Sequence, residues 1–127
     1  MAKLKQIILI VDDDNDTRTL LGDMLQEEGF GVVQALDGLD ALEKLKGQPV
    51  DMVVTDRAMP RMDGMTLLAK LRELFPALPV LMVSGYGEES FWTQAIGRGA
   101  KDYLLKPFKA EEVVSQIRKY LPKKTNP

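Results

Sequence analysis

Four short stretches carry side chains that could do chemistry in concert: Asp12-Asp13-Asp14, Asp56, Ser84 and Lys106. Three adjacent carboxylates repel one another, and a helix cap uses only one of them. A hard cation such as Mg²⁺ removes that repulsion, because it prefers carboxylate and water oxygens. It is commonly held by one or two carboxylates together with phosphate and water oxygens. A carboxylate can also attack phosphorus and form an aspartyl phosphate. That transfer needs mainly positioning and charge neutralisation. Mg²⁺ would neutralise on one side and Lys106 on the other, and the Ser84 hydroxyl could donate to a phosphoryl oxygen. Taken singly, each residue has an ordinary explanation. Asp12 to Asp14 can be a solvated turn, Asp56 and Ser84 turn formers, Lys106 a surface lysine and Tyr103 sheet packing. The elements that carry them decide whether they meet.

Apolar runs of strand length precede most of these residues. Ile7 to Val11 leads into Asp12, Met52 to Val54 into Asp56, and Pro79 to Val83 into Ser84. Asp102 to Leu105 is a short strand that ends at Lys106-Pro107, and Val32 to Ala35 is a weaker strand suited to a sheet edge. Between the strands, apolar residues recur at helical spacing. The stripes are Leu20, Leu21, Met24 and Leu25; Leu39, Leu42 and Leu45; Leu67, Leu68, Leu71 and Leu74; and Val113, Val114, Ile117 and Leu121. A fourth helix fits Glu88 to about Gly97, with Phe91, Trp92, Ala95 and Ile96 as its stripe. Gly29, Gly47, Pro76 and Pro122 are stop signals, and Asp37-Gly38 is a start signal.

Five β-α units imply an α/β domain, a three-layer (βα)5 arrangement with helices on both faces of a parallel sheet. Right-handed crossovers leave few topologies. One common solution is the flavodoxin-like strand order 2-1-3-4-5, whose switch point lies between the first and third strands. Asp12 and Asp13 end the first of these strands and Asp56 ends the third. Ser84 and Lys106 fall at further strand ends on the same rim. That all of them should do so by chance is a poor explanation.

Composition sets the outer bounds. A chain of 127 residues, 45% hydrophobic and 28% charged, suits one globular domain with one core. We read it as a single domain over 1–122 with a polar tail over 123–127. The net charge of −2 argues against a nucleic-acid-binding face. The chain has no cysteine and no histidine, which excludes thiolate zinc sites, cysteine nucleophiles, Ser-His catalysis and a phosphohistidine of its own. No apolar run approaches a membrane span, and the N-terminus lacks a secretory pattern. The default expectation is a cytoplasmic protein with no membrane contact.

The chain resembles the receiver domains of two-component response regulators, the CheY-like family. The resemblance covers about Ile7 to Leu121 and rests on several motifs. They are Val11-Asp12-Asp13, Asp56 with Met59-Pro60 and Asp63-Gly64, Ser84-Gly85, Gly99-Ala100, and Tyr103 with Lys106-Pro107-Phe108. It implies that Asp56 is the phosphoacceptor, charged by a sensor histidine kinase or a histidine phosphotransfer protein. Asp13 and Asp56 would bind Mg²⁺ through side chains, Ala58 through its backbone carbonyl, and Asp12 through water. Lys106 would contact the phosphoryl group, Ser84 would respond to it, and Tyr103 would be a rotamer switch. The fourth helix, fifth strand and fifth helix would present a changing surface, here including Phe91, Trp92 and Tyr103, to a downstream effector protein or domain. Such a domain is not an enzyme, although it assists its own phosphoryl transfer and hydrolysis. The resemblance also implies a cis Lys106-Pro107 bond, which would help to turn Lys106 toward Asp56. Three positions depart from the usual pattern or set its timing. Gly85 stands where Ala is more common, and Ala58 and Tyr86 occupy the positions that tune phosphoryl lifetime.

The main competing reading is a receiver-like interaction module that works without phosphate. A flavin-binding flavodoxin is disfavoured, because three aspartates after the first strand would repel a phosphate. A metal-dependent phosphatase would need a second carboxylate two residues beyond Asp56, where Ala58 stands. Along the fourth helix, Ala95 and Ile96 are expected in the core. At least one of Phe91 and Trp92 is expected to be partly exposed, because so short a helix cannot cover both.

Overall fold

The computed structural model describes residues 5–85 and 89–122. Tyr86, the start of the expected fourth helix at Glu88, and the tail over 123–127 lie outside the described residues. Ten elements alternate along the chain: β1 (Ile7–Val11), α1 (Asn15–Glu27), β2 (Gly31–Ala35), α2 (Gly38–Gly47), β3 (Met52–Asp56), α3 (Gly64–Leu74), β4 (Val80–Ser84), α4 (Glu89–Gly97), β5 (Asp102–Leu105) and α5 (Ala110–Tyr120). All five strands are parallel, in the order β2-β1-β3-β4-β5. This is the expected three-layer flavodoxin-like arrangement.

Strand alternation divides the core in two. Ile8, Ile10, Val54, Leu81, Val83 and Leu104 face Leu21 and Leu25 of α1 and Val113, Val114 and Ile117 of α5. Leu9, Val11, Val53, Val80 and Met82 face the other way, toward Ala41 and Leu45 of α2, Leu67, Leu68 and Leu71 of α3, and Ala95 of α4. Burial on both faces explains why the central strands are unbroken apolar runs.

The helix stripes are narrower than their spacing implied. Leu20, Leu39 and Leu74 are exposed, and so is Ile96, which was expected in the core. The cause is rotational for all but Leu74. On α1 the packed face runs through Arg18, Leu21, Gly22 and Leu25, which turns Leu20 outward. On α2 the face through Gly38, Ala41 and Leu45 does the same to Leu39. Leu74 is the last residue of α3 and is exposed at the helix end. On α4, Ala95 takes the buried position and Ile96, one residue on, points away from it.

Candidate functional site

The rim at the C-terminal ends of the strands is built mainly by caps. Asp14, the third of the aspartates, is the N-cap of α1. Its carboxylate accepts from the Thr17 backbone N–H and, at 2.6 Å, from the Thr17 hydroxyl. That leaves Asp12 and Asp13 for other work. Asp12 is buried, and its Oδ1 accepts from the Asp14 N–H at 2.9 Å. Asp13 is exposed. Arg18, buried one turn into α1, donates from Nη1 to the Asp12 carbonyl at 2.8 Å and from Nε to Gln34 on β2. It therefore fixes the end of β1 from behind.

Asp56 ends β3 and is half-buried. Its Oδ1 accepts from the Arg57 N–H at 2.9 Å. The following loop is tied down at both ends. Gly64, at the start of α3, donates to the Arg57 carbonyl. A Cβ at that glycine would lie 2.4 Å from the Asp56 carbonyl oxygen. Asp63 caps α3 by accepting from the Thr66 N–H. Arg61, at φ 65°, reaches across to the buried Asp37, the N-cap of α2, with Nε 2.6 Å from Oδ2. The Arg61 hydrogen bond holds the Asp37 carboxyl below the usual carboxylate range. This cross-strand tie was not visible in the sequence, where Arg61 reads as an ordinary loop residue.

The structure brings three carboxylates and one ammonium together. Oxygens of Asp12, Asp13 and Asp56 all lie within 4.8 Å of one another. Lys106 Nζ lies 3.3 Å from Asp12 Oδ2 and 3.5 Å from Asp56 Oδ1. Lys106 follows β5, its N–H donates to the Ser84 carbonyl, and its bond to Pro107 is cis. Burial, reinforced by the neighbouring Asp12 charge, pushes the Asp56 carboxyl up to about 6 against the pull of Lys106. Burial opposes the charge on Lys106, but Asp56 and Asp12 outweigh it and hold its pKa above the ordinary value. One ammonium among three carboxylates leaves an excess of negative charge on hard oxygen donors. That donor set suits a small divalent cation.

The other expected residues make contacts of their own around this cluster. Ala58 lies in the exposed loop two residues past Asp56. Ser84 is buried, and its hydroxyl accepts from the indole N–H of Trp92 on α4. Trp92 is stacked on Tyr103 of β5, with ring centroids 4.2 Å apart and planes 11° from parallel. Phe91 lies under the Arg57 guanidinium, 4.1 Å from the ring centre. Phe91, Trp92 and Tyr103 are all half-buried.

Comparison with known proteins agrees with this geometry. The family profile of the response regulator receiver domain matches residues 8–118. The chain is 41% identical over 115 residues to the chemotaxis protein CheY of Bacillus subtilis, covering 90% of this chain and 96% of that one. It is 33% identical over 123 residues to sporulation initiation phosphotransferase F of the same organism, covering 97% and 99%. The crystal structure of the receiver domain of NtrX from Brucella abortus superimposes with a TM-score of 0.85 at 36% identity, covering 88% of this chain and 95% of that one.

Proposed function

We propose a residue-level mechanism from a plain premise: the chain belongs to the response regulator receiver domain family, and its function is phosphorylation-dependent signalling. It is a signalling domain rather than a conventional enzyme. In our reading an Asp56 carboxylate oxygen bonds to phosphorus as the P–N bond of a phosphohistidine breaks, and the bonding pair stays on the ring nitrogen, so that a neutral imidazole departs with its other N–H in place. The phosphodonor is a sensor histidine kinase or a histidine phosphotransfer protein. A bound Mg²⁺ would offset the charge gathered on the phosphoryl oxygens and the carboxylates. Asp13 and Asp56 would hold it by side chains, Asp12 through water and Ala58 by its carbonyl. Lys106 neutralises from the opposite side, and its present contacts with Asp12 and Asp56 keep it within reach. The same groups assist later hydrolysis. Ser84 and Tyr103 then carry the signal to the α4-β5-α5 face, where Phe91 and Trp92 help a downstream effector to read it. We place the activity in the cytoplasm, where ATP charges such kinases.

The observation that carries this reading is the convergence of Asp12, Asp13, Asp56 and Lys106, from three strand ends, on one spot. Incubation with acetyl phosphate followed by intact mass measurement tests it. One labile phosphoryl adduct is expected, only with Mg²⁺ present, and none in Asp56→Ala. An adduct that survives that substitution refutes the assignment. No adduct under any condition favours a phosphate-independent interaction module.

A further inference from the structure

Ser84 and Tyr103 are held by one side chain, and that side chain is neither of them. Ser84 lies at the end of β4, and its buried hydroxyl accepts from Trp92 Nε1. The same indole is stacked on Tyr103, one strand further from Asp56. The order β3-β4-β5 puts Asp56 on one side of Ser84 and the Trp92–Tyr103 stack on the other. We infer that Trp92 is a positioning residue of the switch, whose indole N–H holds the Ser84 hydroxyl toward β5 until a phosphoryl group on Asp56 draws it away. The inference rests on the proposed role of Ser84 and adds what that hydroxyl must leave.

The chemistry is a competition between two partners for one short side chain. A serine hydroxyl moves between staggered positions about its single χ1 bond. A hydroxyl can donate and accept at once, so both partners could be served only if the indole followed the oxygen. The indole is not free to follow, because its ring is stacked on Tyr103 and its backbone belongs to α4. When Ser84 turns toward Asp56, the Trp92 N–H loses its acceptor. A half-buried donor without a partner is unfavourable, so the indole and the helix carrying it must resettle. That couples Asp56 to α4 through a single hydrogen bond. It also couples Tyr103, whose ring has Trp92 as its stacking partner. The device depends on the side chain at residue 92, because the tryptophan there supplies both a flat ring to stack on Tyr103 and an N–H that reaches Ser84.

The prediction can be read on one signal, because Trp92 is the only tryptophan in the chain. ¹⁵N-labelled protein therefore gives one indole N–H cross-peak. In the unliganded state, Ser84→Ala should move that peak upfield and speed its exchange with solvent. An unmoved peak means that the bond does not exist, and overturns the inference. With Mg²⁺ and beryllofluoride, the wild-type peak should move toward its Ser84→Ala position. The Arg57 amide, bonded to Asp56 Oδ1, reports independently on occupancy of the site. If the Arg57 amide moves while the indole stands still or shifts downfield, Trp92 does not release Ser84. If the Arg57 amide does not move, the phosphoacceptor reading itself fails and the inference falls with it. Trp92→Phe keeps a ring against Tyr103 and removes the N–H. It should tighten beryllofluoride binding roughly five- to tenfold, the worth of one ordinary hydrogen bond. That gain should vanish in the Ser84→Ala background, and an equal gain in both backgrounds would overturn the inference.

Discussion

α3 and α4 pack on the same face of the same sheet, and each follows a strand that ends in a candidate site residue. α3 follows Asp56 and α4 follows Ser84. Their anchoring differs sharply. α3 buries Gly64, Met65, Leu67, Leu68 and Leu71, is capped by Asp63, and begins so close to Asp56 that only glycine fits. On α4, Ala95 is fully buried while Phe91 and Trp92 are half-buried. Aliphatic burial and a cap give one helix little freedom. Among the described residues, α4 is held by Ala95, by aromatic contacts and by the Trp92–Ser84 hydrogen bond, which leave it more able to resettle. The lesson is a division of labour: phosphoryl chemistry needs groups that stay put, and a switch needs an element with two packings of similar energy.

Truncation should show the asymmetry most strongly. Leu68→Ala on α3 should destabilise the domain by about 4 kcal/mol, as expected for a fully buried leucine. Ile96→Ala on α4 should fall within about 0.5 kcal/mol of wild type, as for an exposed position. Urea denaturation of both variants checks this, and similar losses would break the comparison. Gly64→Ala comes next. Its Cβ would press on the Asp56 carbonyl, and overpacking of that kind costs about 3 kcal/mol. A cost near zero would mean that α3 yields as easily as α4.

Charge at the site gives a smaller effect with a definite sign. The Asp56 pKa is raised to about 6 from 3.8, so between those values the folded state binds more protons than the unfolded. The contribution of Asp56 to stability is therefore full below about pH 4 and is lost as pH rises through about 6. Without divalent cation, Asp56→Asn should stabilise the domain at pH 7–8 by about 2 kcal/mol, and the gain should fade below pH 4. Mg²⁺ at 100 times its dissociation constant should stabilise the wild type by about 2.7 kcal/mol. Thermal melts across pH, with and without Mg²⁺, measure both. A destabilised Asp56→Asn at neutral pH would contradict the crowding of negative charge at the rim. A smaller loss is expected for Asp63→Ala, which removes the α3 cap and should cost about 1 kcal/mol, read by the same urea curves.

Much of this was legible in the sequence because the rigid half is written in local signals. Unbroken apolar runs marked β1, β3 and β4, and the carboxylates at the ends of β1 and β3 do come together. The rule that one cap needs one aspartate left Asp12 and Asp13 for other work, and Asp14 is the residue that caps. Right-handed crossovers and the family resemblance then placed those ends together. Residues that depend on rotation or side-chain choice were not legible. Leu20, Leu39, Leu74 and Ile96 sit on acceptable stripes, yet the neighbouring positions face the sheet. Arg18 offered a faint signal, since it lies three and seven residues before Leu21 and Leu25 on the packed face of α1. The Arg61–Asp37 pair and the Trp92–Ser84 bond join residues whose meeting depends on side-chain conformation, and nothing in their sequence spacing announces it.

Hydrogen exchange with and without Mg²⁺ and beryllofluoride tests the division between α3 and α4 most directly. In the unliganded state the amides of α4 should exchange faster than those of α3. On adding beryllofluoride, exchange should change along α4 and β5 while α3 keeps its protection. Equal protection of the two helices before ligand, or a change confined to α3 after it, would contradict the account.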